Sequence, residues 1–193
     1  MGAPPRGRLL LGWTALADSG RPADGKPDGD QIISGDAYAA KTGVKLSVAT
    51  ANAPPACADA TALALRTRPA LGGFLTSARP AGVDLGNVLP VRMDFAAPAQ
   101  SVTVRAVGDG ADYTVTVMLN DGSTEVRKAA VPGGAVTPIA YEAPAGKGIV
   151  AVVYGHADPA PTAKDPTILK SVSFVTAGAA SGSGSASAST PAS

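Results

Sequence analysis

The single histidine of this chain, His156, stands in YGHADPAPTAKD with Asp158 two residues further on. An imidazole beside a carboxylate can do general acid–base work, but only with a hydroxyl or thiol nucleophile in reach. No Gly-x-Ser-x-Gly setting supplies one. Nor does the chain hold a phosphate-cradling loop, a Gly-x-Gly-x-x-Gly turn after a strand, a His-Glu-x-x-His or a paired-cysteine motif. The sequence therefore predicts a chain that is not an enzyme. Tyr154, His156 and Asp158 sit where a strand opens into a loop, HADPAPTAKD (156–165), and Asp84 and Asn87 lie in a second loop, PAGVDLGN (80–87). Loops rich in Pro, Gly and Asp on a rigid scaffold are where recognition concentrates, so these five residues are candidate ligand contacts. The plainer alternative for His156 is a solvated or packed loop histidine.

Carboxylates recur at Asp24, Asp28 and Asp30, with glycines for tight curvature. Such a run can present several oxygens to Ca²⁺, although its spacing does not match an EF-hand loop, which needs a Glu at the twelfth position. A solvated linker with Asp-Gly turns is the competing reading. If these residues bind calcium, EDTA lowers the melting temperature and Ca²⁺ restores it; an unchanged melt leaves the linker standing. Cys57 has no partner cysteine in the chain, and no histidine lies near it, so it reads as a small buried apolar residue. The net charge of +1, with signs interspersed, offers no electrostatic footprint for nucleic acid or an anionic membrane.

Short strands must position these residues. In YTVTVML (113–119), Tyr113, Val115, Val117 and Leu119 share one face and Thr114, Thr116 and Met118 the other, the two-residue period of a half-buried strand. Similar runs are KLSVAT (45–50), TALALRT (61–67), GFLTS (73–77), PVRMDF (90–95), SVTVRAV (101–107), TEVRKAAV (124–131), AVTPIAY (135–141), GIVAVVYG (148–155) and ILKSVSFV (168–175). Gly and Asp mark the turns at GDGAD and NDGS. Wholly apolar GIVAVVY predicts a central strand, and TEVRKAAV, with Glu125, Arg127 and Lys128, an edge strand guarded by charge. AYAAKTG allows one helical turn with Gly43 at its exit.

The fold class that follows is all-β: one antiparallel β-sandwich of jelly-roll type over 32–176, with Val115, Val117, Val150, Val152 and Val172 in its core. Phe95, Tyr113 and Phe174 belong to that core as well, while Tyr38, Tyr141 and Tyr154 are placed to reach a loop-lined groove. Residues 18–31 read as a polar linker. Ala/Ser/Gly-rich 177–193 lacks large apolar and charged side chains and reads as a disordered tail. Residues 1–17 admit two readings. Arg6 and Arg8 ahead of the apolar run LLLGWTALA resemble a secretory signal, and the same run would serve as a first strand with Trp13 packing inward.

The succession AY…TGVKLS, FLTS, PVRMDFAAPAQSVTVRAVG, LNDGST and ILKSVSFV resembles the galactose-binding-like jelly-roll domains of bacterial secreted and surface-sorted proteins. The resemblance runs over about 30–175 and rests on rhythm and turn placement. It implies a non-catalytic extracellular or cell-surface module for binding or adhesion, its partner a glycan, a surface polymer or a protein. It also implies a structural Ca²⁺ where the N-terminal segment meets the sandwich. Lys170 and Ser171 depart from the acidic residue and Asn that such domains often carry in the closing strand. The alternative function is that of a structural subunit, a virion or capsid decoration or an appendage protein, since jelly rolls also build shells.

Overall fold

The structure is a computed structural model. It describes residues 8–12, 31–51, 53, 55–68, 72–79, 89–108, 110, 112–157 and 168–176. Asp24, Asp28, Asp30, Asp84, Asn87, Asp158, Trp13 and the 177–193 segment lie outside them.

Eleven strands form among the described residues: β1 (Arg8–Gly12), β2 (Gln31–Ile33), β3 (Val44–Val48), β4 (Ala62–Arg68), β5 (Gly72–Ala78), β6 (Val91–Val107), β7 (Asp112–Leu119), β8 (Thr124–Ala130), β9 (Thr137–Glu142), β10 (Ile149–His156) and β11 (Ile168–Thr176). One short α-helix, α1 (Ala39–Thr42), ends at Gly43, whose φ of 73° is the left-handed value at which glycine costs least. All strand pairings are antiparallel, giving a β-sandwich of jelly-roll type.

The two expected strands at 90–95 and 101–107 are one strand, β6, which serves both layers. Its first half pairs with β3 and β10, and β10 continues to β7 and β8. Its second half pairs with β9 and β11, and β11 continues to β1 on one stretch and to β5, β4 and β2 on another. The changeover falls around Pro98, which has no N–H to give a ladder. Register shifts at Ile149/Ala151 and Val175/Thr176 oppose that stretch, and bulges there let the strand bend from one layer to the next.

Inward side chains from both layers build one core. Val115, Val117, Val152 and Val172 are buried, as are Phe95, Tyr113 and Phe174. Val150 is only half-buried, because it lies at the β10 bulge, where the alternation of faces is interrupted. Phe95 from one layer meets Phe174 from the other edge to face, with ring centroids 5.0 Å apart. Cys57 is buried in a small satellite cluster with Ala60 and Leu89. β1 lies along β11 from Ser171 to Val175, and Leu9 packs on the core.

The β7–β8 turn is held by Asp121, whose carboxylate accepts from the Ser123 N–H at 3.0 Å and pairs with Lys147 at 2.7 Å. The hydrogen bonds from Lys147 and Ser123 hold this carboxyl well below the usual carboxylate range. Since the folded value is the depressed one, its stabilisation is whole above the ordinary carboxylate pKa and is lost as pH falls below it. Urea midpoints followed from about pH 5 to about pH 2 should therefore drop less steeply for Asp121→Asn than for the wild type.

Candidate functional site

β10 is central, flanked by β6 and β7, and it ends at His156. Its penultimate residue must be small: a Cβ on Gly155 would come within 2.7 Å of the Pro90 ring. That close approach seats the start of β6 against the end of β10. His156 lies opposite Tyr113 of β7, and the two rings are 4.2 Å apart at a tilt of 44°. Tyr113 is in turn stacked with Tyr154 at 6.0 Å. Gly108 backs the column, since a Cβ there would sit 2.7 Å from the Tyr113 ring. The imidazole is thus fixed by packing, half-buried, and its shielded Nε2 has no hydrogen-bond partner among the described residues.

The chain ends that lead into 80–88 and 158–167 converge here. Leu89 N–H donates to Ser77 Oγ, Pro90 lies on Gly155, and Ala157 N–H closes the ladder on the Asp112 carbonyl. Asp84, Asn87 and Asp158 lie outside the described residues, so of the five ligand candidates the structure places His156 and Tyr154.

Tyr154 needs correcting. It is 0% exposed in the main core cluster, so its ring meets no ligand from outside. Tyr38 and Tyr141, also expected near a groove, are buried too, and burial pushes both phenols above their ordinary pKa. Every Phe and Tyr ring among the described residues is in fact buried. The described surface accordingly offers no Phe or Tyr ring for stacking on a sugar face, and recognition there would rest chiefly on hydrogen bonds.

Sequence reasoning missed three polar features. Arg92 forks onto Asp94 with contacts of 2.7 and 3.0 Å, beside a 230 Å³ cavity lined by Ala39, Gly43, Lys45, Asp94, Phe95 and Ala96. The clue was present, because two outward residues of PVRMDF carry opposite charge. Lys170 stands at the β11 register shift and donates to the Gly73 carbonyl at 2.7 Å. Burial pulls its pKa down, and the departure in the closing strand becomes a tie between β11 and β5. Arg66 is buried on β4, with no local signal to mark it. Among the described residues no group of three His, Cys, Asp or Glu is placed to hold a metal ion.

No family model and no curated protein matches this chain. Among solved structures, the chain is similar to the CBM35 from Cellvibrio japonicus Abf62, with 11% identity, 88% of this chain and 93% of that one covered, and a TM-score of 0.39. It is also similar to an exo-β-1,3-galactanase from Phanerochaete chrysosporium solved with galactose, with 11% identity over 76% of this chain and a TM-score of 0.38. The match spans 29% of the galactanase's length. Superpositions this loose carry no inference about ligand or activity.

Proposed function

We propose that this chain is a non-catalytic recognition module of the cell surface or extracellular space, engaging a glycan or surface polymer through the sandwich end that carries His156. One observation carries the reading: an imidazole locked on Tyr113 stands beside the strand ends that lead into 80–88 and 158–167. A polar group held rigid by packing loses little entropy on binding, which favours recognition by hydrogen bonds. Asp158, Asp84 and Asn87 would supply further donors and acceptors. No helix among the described residues is long and apolar enough to cross a membrane.

The test is retention in gels containing a panel of soluble polysaccharides. His156→Ala and Asp158→Ala should each weaken retention by about tenfold, the effect of one lost polar contact, while the melting temperature stays near that of the wild type. Equal retention of wild type and both variants would overturn the assignment. Hydrolysis of the polymer that disappears with His156→Ala would overturn its non-catalytic part. The second reading, a structural subunit of a shell or appendage, is favoured by the exposed apolar side chains of Leu10, Val126 and Val136, set against the burial of every described Phe and Tyr ring.

A further inference from the structure

Strand β8 is the outermost strand of its layer, paired with β7 on one side and with no strand on the other among the described residues. Its register shows which backbone groups are already engaged. Leu119 N–H donates to the Ser123 carbonyl at the turn. In an antiparallel ladder the hydrogen-bonded pairs alternate, so Glu125, Arg127 and Ala129 direct their N–H and C=O toward β7. Thr124, Val126 and Lys128 direct theirs along the open edge. Val126 also exposes 58% of its surface on the outer face of the sheet. On the opposite face Glu125 and Arg127 straddle it, 3.8 Å apart, and Arg127 lies over the Tyr141 ring at 5.4 Å.

We propose that β8 is a homodimerisation edge, two copies of this chain pairing β8 against β8, antiparallel, about a two-fold axis through Val126. In that register Val126 faces Val126 of the second copy, and Thr124 faces its Lys128. Glu125 falls opposite the second copy's Arg127, and Arg127 opposite its Glu125, so two cross-strand ion pairs form by symmetry. The neighbouring two-fold registers are disfavoured: centring on Arg127 opposes two guanidinium groups, and centring on Glu125 opposes two carboxylates. Lys128 is already drawn to Asp112 at 2.7 Å, away from the seam. Charges on an open edge ordinarily repel arbitrary strands. Here their order, acid–Val–base, also admits one partner, which is the strand's own image. The contact is isologous and closes on itself, giving a dimer and not a fibre. The inference stands apart from recognition at the His156 end.

Sedimentation equilibrium over a concentration series tests it. The full chain should show a monomer–dimer equilibrium. Glu125→Arg and Arg127→Glu each set like charges against each other in both symmetric pairs, and each should weaken dimerisation by about tenfold or more. An equimolar mixture of the two variants should recover it, since an acidic edge then meets a basic one. The doubly exchanged chain, Glu125→Arg with Arg127→Glu, should recover it too. Val126→Pro removes one edge-facing N–H and leaves the β7 ladder intact, so it should abolish dimers while retaining the wild-type circular dichroism spectrum. A wild type that is monomeric at every concentration would overturn the proposal. So would single variants that dimerise as well as the wild type, or a mixture that fails to recover what the singles lost.

Discussion

Tyr154→Ala is expected to destabilise the fold by about 3–5 kcal/mol, the range for deleting a large buried ring. Tyr154 is fully buried, packed among the core residues and stacked with Tyr113. Removing it leaves a void beneath the ring on which His156 rests, so the loss should reach the sandwich end as well as the centre. In a domain of this size the melting temperature should fall by roughly 10 °C or more. Tyr154→Phe keeps the ring and should restore most of that stability. Chemical denaturation of the three proteins decides the matter: a Tyr154→Ala midpoint within about 0.5 kcal/mol of the wild type would place this side chain on the surface after all.

A loss of the same size, about 3–5 kcal/mol, is expected for Phe174→Ala. Phe174 is buried in β11 and meets Phe95 of the other layer edge to face at 5.0 Å. This pair bridges the two sheets, so the predicted signature is coupling. Phe95→Ala should cost less once Phe174 is gone, by about 0.5–1.5 kcal/mol in a double-mutant cycle. Strict additivity would mean that the rings do not stabilise each other.

Much of the fold was legible because its signals are local. The alternation in YTVTVML marks β7, Gly43 marks the exit of α1, and Glu125, Arg127 and Lys128 mark β8 as an edge. What escaped depends on partners distant in sequence. The union of 90–95 and 101–107 into β6 is visible only once β10 and β11 bulge opposite Pro98. The docking of β1 on β11 joins segments near opposite ends of the chain and leaves no mark in either. Tyr154 was misplaced for a different reason. β10 is apolar on both faces, so composition could not orient it. Yet Val152, two residues before and rightly put in the core, shares a face with Tyr154, and the two-residue period alone would have buried both. Of the candidate site, the position of His156 at a strand end was readable from sequence, and its seat on Tyr113 was not, because that contact exists only through the β7–β10 register.

The long strand β6 has a consequence for how the molecule comes apart. A sandwich whose layers share no strand can shed one sheet and keep the other for a time. Here β6 runs through both, so separating β10 from the first half or β11 from the second strips hydrogen bonds from the same seventeen-residue strand. Amide protons on β10 and β11 should then exchange with deuterium at one common, slowest rate, set by opening of the whole domain. In the monomer, the edge-facing amides of Thr124, Val126 and Lys128 on β8 should exchange far sooner.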